Sequence, residues 1–309
     1  MNDTVTLRQL RYLVAIADSL HFGRAAAACN VSQPSLSAQL QQLESALGME
    51  LVERTKRRVL LTPAGREAVV RARRILGEVA DLAASVRSAA APLEGELRLG
   101  AIPTLAPYYL PRALPGLRRD YPNLKLYLRE DQTERLLEAL RTGRLDALLL
   151  ALPVEETEFT AAPLFDEPFQ VALPAGHPLT ARRILQEEDL AGETLLLLEE
   201  GHCFREQALA VCAVARPRER EGFAATSLHT LSEMVAGRLG VTLLPRLATE
   251  RAPNGVETRP FAEPEPSRRI GLVWRRGSPR ESELRLLADA LRHHAPEGVW
   301  PITTEDIPA

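Results

Sequence analysis

Residues 22–65, FGRAAAACNVSQPSLSAQLQQLESALGMELVERTKRRVLLTPAG, read as two helices joined by a tight turn and followed by a basic hairpin. Phe22 to Cys29 is a short Ala-rich helical segment, and Asn30-Val31-Ser32 supplies the turn. Ser32 is a good N-cap because its hydroxyl can accept from a first-turn N–H, and Pro34 falls where a missing N–H costs little. The next helix is therefore expected from Gln33 to about Leu47, with Leu36, Leu40, Leu43 and Leu47 inward and Gly48 as its stop. Its other face carries Gln33, Ser35, Ser37, Gln41 and Gln42, short polar groups suited to base edges and phosphates in a major groove. Glu50 to Thr62 alternates around the basic tip Lys56-Arg57-Arg58, close to Arg54, and predicts a two-stranded wing that grips the phosphate backbone. Upstream, Leu7, Leu10, Leu13, Val14 and Ala17 give one apolar helical face. A polar helix face or a basic turn alone is common on soluble surfaces; this order and spacing is what points to double-stranded DNA.

Thr62-Pro63 is an N-cap and first-turn proline pair that opens a long helix, which runs to the stop at Ala89-Ala90-Ala91-Pro92. Along it Val69, Ala72, Leu76, Val79, Ala83, Val86 and Ala90 recur at alternating spacings of 3 and 4. That heptad seam predicts a partner helix and hence a dimer, which suits a helix-turn-helix reading paired half-sites. The expected division is a winged helix-turn-helix domain over 1–62, a linker and dimerisation helix over 63–92, and an effector domain over 93–309.

The charge is divided in the same way. The chain of 309 residues has a net charge of −3, yet residues 1–91 hold 12 Lys+Arg against 8 Asp+Glu, and the remainder holds 26 against 33. The basic end is where nucleic acid would bind. Hydrophobic residues at 45% and charged residues at 26% are an ordinary soluble balance. No apolar run approaches the ~18 residues of a membrane span, and MNDTVTLRQL lacks a signal-peptide profile, so a cytoplasmic protein with no membrane association is expected. Three cysteines fit a reducing compartment in which any disulfide is transient.

From Glu94 onward apolar strands alternate with helices. Candidates are Leu97–Ile102, Lys125–Arg129, Leu145–Leu152, Phe169–Leu173, Leu195–Leu198, Gly222–Ala225, Gly240–Leu244 and Ile270–Trp274, a doubly wound α/β pattern. Ligands in such sheets bind beyond the carboxyl ends of strands. Three segments end there with polar groups: Ile102-Pro103-Thr104, Glu130-Asp131-Gln132-Thr133 and Gly201-His202-Cys203. There is no glycine-rich phosphate loop and no closely spaced metal-ligand set, so neither cofactor nor metal is expected; His293-His294 reads as a solvated helix end.

The stretch Leu195 to Cys212, LLLLEEGHCFREQALAVC, places Cys203 at a strand-to-helix transition. Unpaired N–H groups and the helix dipole favour a thiolate there, Arg205 adds a positive charge, and His202 adds a proton donor or acceptor. If one helix runs from Phe204 to Cys212, the two cysteines are separated by about 13 Å of axial rise. A disulfide tolerates about 4.4–6.8 Å between Cα atoms, so bonding them would require the helix to unwind. The alternative is that both thiols simply pack as small apolar side chains.

Taken together, FGRAAAACNVSQPSLSAQLQQLESALGMELVERTKRRVLLTPAG, GAIPT at 100–104, EDQT at 130–133, GHCFREQA at 201–208 with Cys212, and ATSLHTLSEMVAGRLGVTLLP at 225–245 resemble the LysR-type transcriptional regulators, and within them a branch that senses hydrogen peroxide. The resemblance spans nearly the whole chain and weakens after about Arg285. It implies an all-α winged helix-turn-helix domain, a long linker helix, and an α/β effector domain of two doubly wound, periplasmic-binding-protein-like subdomains. It further implies an activator of antioxidant genes rather than an enzyme, with Cys203 as peroxidatic and Cys212 as resolving thiol. Thr104 and Thr133 would seat the peroxide, and His202 and Arg205 would surround the reacting sulfur. DNA contacts would come from Ser32, Gln33, Pro34, Ser35, Ser37, Gln41, Arg54, Lys56, Arg57 and Arg58, with operator DNA, RNA polymerase and a homotetramer as partners. Ala38 stands where many such regulators carry a larger polar or basic residue, so operator preference does not carry over. A regulator of the same family responding to a non-covalently bound small molecule is the alternative. A thiol peroxidase would gain nothing from a basic winged helix, and a solute-binding transport protein would carry a signal peptide.

Overall fold

The structure, a computed structural model, describes residues 5–54, 59–88, 93–213, 215, 218–219 and 224–302. It divides into two compact units, residues 1–90 with 139–144 and residues 91–138 with 145–309.

In the first unit α1 (Leu7–Ser19), α2 (Phe22–Ala28), α3 (Gln33–Leu47), strands β1 (Val52–Arg54) and β2 (Val59–Leu61), and α4 (Pro63–Ser88) follow in order. Each helix start is chemically capped. Thr6 and Gln9 form a reciprocal capping box on α1, Ser32 Oγ accepts from Ser35 N at 3.3 Å, and Thr62 Oγ1 accepts from Gly65 N at 2.9 Å. Gly48, at φ +68°, closes α3 in the left-handed conformation. Leu13, Ile16, Leu36, Leu40 and Leu43 form a fully buried core. Leu7 and Leu47, expected inward, are 39% and 46% exposed because they occupy the terminal turns of their helices; Tyr12 and Ile16 complete the buried face of α1. β1 and β2 pair antiparallel from Val52↔Leu61 to Arg54↔Val59. The wing is anchored to α3 by Glu44, whose Oε1 accepts from the N–H groups of Leu51 and Val52 at 2.9 and 3.1 Å.

The heptad seam of α4 divides. Val69 and Ala72 are buried in the core of this same unit and Leu76 packs against it, so the first part of the seam covers α1, and the expectation that it faces a partner helix is corrected there. An amphipathic stripe on a single helix satisfies an intramolecular core as well as it does a dimer. Ile75 and Leu82, seven residues apart, are exposed instead. The side chains of Ala83 and Val86, and Ala90 altogether, lie outside the described residues, as do Lys56, Arg57 and Arg58 at the wing tip.

The second unit contains β3 (Gly95–Ala101), α5 (Ala106–Asp120), β4 (Leu124–Glu130), α6 (Thr133–Arg141) up to residue 138, β5 (Ala147–Leu152), β6 (Phe159–Pro174), β7 (Thr194–Leu195), α7 (Cys203–Val211), β8 (Arg218–Glu219), α8 (Leu228–Ala236), β9 (Thr242–Pro245), α9 (Arg246–Thr249), β10 (Val256–Pro260), β11 (Ser267–Arg275), α10 (Glu281–His293) and β12 (Trp300–Pro301). Its sheet is mixed, in the order β10-β6-β11-β5-β3-β4. β3 lies parallel to both β4 and β5, whereas β11 runs antiparallel to β5 and β6. The 16-residue strand β6 belongs to two subdomains. Its first half pairs with β11, and its second half pairs with β9 and β10.

The apolar run Leu195–Leu198 is buried throughout but forms a strand only at Thr194–Leu195. Beyond that it changes partner: Leu196 N donates to Val241 O at 2.8 Å, and Glu199 N donates to Ala225 O at 2.9 Å. His294 is not a solvated helix end, since its Nε2 lies 2.6 Å from Asp120 Oδ2.

Candidate functional site

The loops that follow β3, β4 and the broken strand 194–198 converge on one cleft lined by Ile102, Pro103, Thr104, Gln132, Thr133, Gly201, His202 and Cys203. The cleft is narrow and partly open to solvent. Thr104, Thr133, His202 and Cys203 are thus neighbours, although the sequence spreads them over a hundred residues.

Cys203 is the first residue of α7, half-buried, with His202 as N-cap. The His202 side chain makes no cap hydrogen bond, so the N–H groups of the opening turn and the positive end of the dipole are directed at the space around the thiol. His202 is buried, and desolvation holds its imidazole below the usual histidine range despite Glu199 Oε1 at 3.8 Å from Nε2. It is therefore neutral at pH 7, able to act as donor or acceptor but not as a fixed positive charge. Arg205 does not line the cleft; its Nη1 donates to Leu198 O at 3.2 Å.

Cys212 caps the far end of the same uninterrupted helix and is buried, its N–H donating to Ala208 O at 3.0 Å. Burial, with a smaller contribution from the nearby Glu187 carboxylate, pushes its thiol up to about 12. The two thiols therefore differ in kind, Cys203 lining the cleft and Cys212 buried away from solvent.

The two threonines also differ. Thr104 is buried, and its Oγ1 accepts from Arg268 Nη1 at 2.8 Å while its carbonyl accepts from Arg268 Nη2 at 2.9 Å. Thr133 Oγ1 is buried and has no hydrogen-bond partner, an arrangement that costs about 1–3 kcal/mol unless a ligand or water fills it. Arg268 is tied to Glu167 across the β11–β6 register by Nε and Nη2 contacts of 2.9 and 2.8 Å, with both side chains fully buried. Glu167 Oε1 in turn accepts from Leu247 N at 2.9 Å, at the start of α9. The guanidinium also lies 5.7 Å from the ring centroid of Phe204, which packs edge-on against Phe169 at 5.6 Å. Phe204, the residue after Cys203, thereby packs against the same buried ion pair that holds Thr104.

Sequence reasoning missed Arg268, Glu167 and the lining role of Gln132. Glu167 and Arg268 each lie two residues before a predicted strand, Phe169–Leu173 and Ile270–Trp274, so neither stood out as a buried charge that requires a partner. In the first unit, Ser32, Gln33, Pro34 and Ser35 are exposed at the start of α3, Gln41 is exposed further along, and Ser37 is half-buried. Arg54 closes β1, with its side chain outside the described residues.

Residues 7–66 match the bacterial regulatory helix-turn-helix protein, lysR family, and residues 90–296 match the LysR substrate binding domain. The chain is 48% identical over 290 residues to the DNA-binding transcriptional dual regulator OxyR of Escherichia coli K12, covering 93% of this chain and 95% of that protein. Among solved structures, a full-length OxyR cysteine variant from Pseudomonas aeruginosa matches with a TM-score of 0.78 and 41% identity, over 96% of this chain and 100% of that one. An H2O2-bound OxyR cysteine mutant from Corynebacterium glutamicum matches with a TM-score of 0.66 and 37% identity, over 95% and 94%. With both of its units matched in this way, the chain belongs to the LysR family of bacterial helix-turn-helix regulators.

Proposed function

We propose that the protein is a DNA-binding transcriptional regulator that senses hydrogen peroxide at Cys203 and switches the expression of antioxidant genes. In the first step the Cys203 thiolate attacks one peroxide oxygen and the O–O bond breaks. With one proton taken up, the products are a sulfenic acid and water. In the second step the Cys212 thiol displaces that hydroxyl as water, forming the Cys203–Cys212 disulfide. The observation that carries this reading is the buried, unpartnered Thr133 hydroxyl in the cleft beside Cys203. A peroxide both donates and accepts, as a hydroxyl does, and would satisfy Thr133 while receiving the proton of Thr104, whose oxygen is already engaged by Arg268. A neutral His202 next to the thiol is suited to passing a proton to the departing oxygen.

The second reading, a carboxylate effector held without covalent chemistry, has less support. Arg268, the buried cation near the cleft, is already neutralised by Glu167. Relatives named as hydrogen peroxide-inducible genes activators point the same way.

DNA recognition is assigned to residues 1–62, with Ser32, Gln33, Pro34, Ser35, Ser37 and Gln41 at the groove and Arg54, Lys56, Arg57 and Arg58 on phosphates. The linker 63–92 would join two chains through the face bearing Ile75 and Leu82, and the effector domain 93–309 would complete a homotetramer. The protein would act in the cytoplasm on operator DNA, with RNA polymerase as a further partner. Mass-spectrometric mapping of peptides before and after a stoichiometric dose of hydrogen peroxide tests the central step. A Cys203–Cys212 linkage is expected. Oxidation confined to Cys29, or no oxidation, would overturn the reading.

A further inference from the structure

Gln132 crosses from one subdomain to the loop that carries the reactive thiol. Its Nε2 makes long hydrogen bonds to Glu199 Oε1 at 3.4 Å and to Glu200 O at 3.5 Å. Its amide also lies flat on Gly201: a Cβ built there would meet Oε1, Cδ and Nε2 of Gln132 at 3.0, 3.1 and 3.2 Å. Gly201 sits at φ +90°, where a side chain would be strained, so that side of the contact is bare backbone. At its own backbone Gln132 is fixed by Asp131 Oδ1, which accepts its N–H at 3.0 Å, and Asp131 is held in turn by Arg129 Nη2 at 2.8 Å. The side chain is therefore placed from both ends as a roof over the cleft.

The other walls have little freedom. Pro103 is a closed ring, Thr104 is fastened to Arg268, and His202 is buried. Beneath the roof the cleft is narrow, its lining residues packed closely around the thiol, so the bulk of any group carried behind a reacting oxygen decides whether it enters. A tertiary alkyl hydroperoxide presents the same O–O bond behind four additional carbons.

We propose that Gln132 is a specificity-determining residue that admits hydrogen peroxide to Cys203 and excludes alkyl hydroperoxides by bulk. The proposal rests on the reading that Cys203 is the peroxide-reactive thiol. The chemistry is unchanged between substrates: thiolate, ROOH and one proton give sulfenic acid and ROH. What differs is whether R can fit under the Gln132 amide as the terminal oxygen approaches sulfur.

The test measures rate constants for sulfenic acid formation in the full-length Cys212→Ser protein, trapped with a dimedone probe, using hydrogen peroxide and tert-butyl hydroperoxide in parallel. Gln132→Ala and Gln132→Ser should each lower the ratio of the two rate constants by at least about tenfold, mainly through a faster alkyl reaction. Gln132→Met keeps the length without the amide and should leave the ratio near that of the parent. A parent-like ratio in the two short variants, or an equal loss of both reactions, would overturn the roof. A fall of the same size in Gln132→Met would also overturn it, since the amide's hydrogen bonds rather than its bulk would then be responsible. Failure of hydrogen peroxide to oxidise Cys203 in the parent protein would instead remove the underlying reading, so the two failures are told apart.

Discussion

Arg268 donates to both the hydroxyl and the carbonyl oxygen of Thr104, at 2.8 and 2.9 Å, while its other contacts bind Glu167. One buried cation therefore fixes a cleft residue, joins the two long strands β6 and β11, and lies over the Phe204 ring of α7.

Removing one member of that pair leaves an uncompensated buried charge. Glu167→Leu should destabilise the effector unit by about 3–5 kcal/mol. Thr104→Val, which strands one donor of Arg268, should cost about 1–3 kcal/mol. Urea unfolding of the reduced protein followed by circular dichroism checks both, and a loss below about 1 kcal/mol for Glu167→Leu would contradict a compact, water-free ion pair.

The cysteines should respond differently to both oxidant and alkylating agent. Cys203→Ser should abolish the response to hydrogen peroxide while leaving DNA binding intact, whereas Cys212→Ser should stop at sulfenic acid and drift to over-oxidised forms. In the reduced protein, Cys212 should resist iodoacetamide until the pH nears 12, because its buried thiol is held protonated to about that value. Equal alkylation of both thiols at pH 8 would show that α7 opens readily on its own.

His202 predicts an acid-side loss of stability. Burial depresses its folded pKa below the unfolded value of 6.5, so the unfolded chain takes up the proton first as the pH falls. The stabilisation from keeping it neutral is present in full above about pH 6.5 and is lost progressively below that. The Tm of the reduced protein should therefore decline more steeply between pH 6.5 and 5 than that of His202→Gln. Parallel Tm profiles for the two proteins would count against a neutral buried imidazole.

On the DNA side, Arg57→Ala with Arg58→Ala should weaken binding to all sequences and reduce the salt slope by about one for each phosphate no longer neutralised. Gln33→Ala, at the exposed first turn of α3, should instead change preference among operators. Titrations on operator and random duplexes at several salt concentrations separate these effects. An equal loss on both duplexes for Gln33→Ala would remove it from base readout.

Much of this architecture was legible because it is written locally. Ser32, Gly48 and Thr62-Pro63 each act on their own neighbours, and the helices they bound lie where those residues put them. The polar ends of three strands were legible too, although their meeting in one cleft belongs to the sheet topology. The contact that Arg205 makes was not legible, because adjacency in sequence is not adjacency on a helix. Two residues beyond Cys203 the chain has turned through about 200°, and the guanidinium Nη1 donates to Leu198 O. The partnership of Arg268 with Glu167 was not legible at all, since it depends on the register between strands 101 positions apart. The apolar stripe of α4 was legible as a stripe but not as to which surface it covers.

Under the proposed chemistry, the helix between Cys203 and Cys212 also sets a kinetic order on the response. Sulfenic acid formation is bimolecular and accelerates with dose, but the step that follows needs α7 to open and is unimolecular. At low peroxide the protein therefore acts as a counter of encounters; at high peroxide the opening of nine residues becomes a clock that no further oxidant can hasten. While that clock runs, a second peroxide competes for the waiting sulfenic acid, so the rigidity of one short helix sets the dose at which a reversible signal turns into irreversible damage.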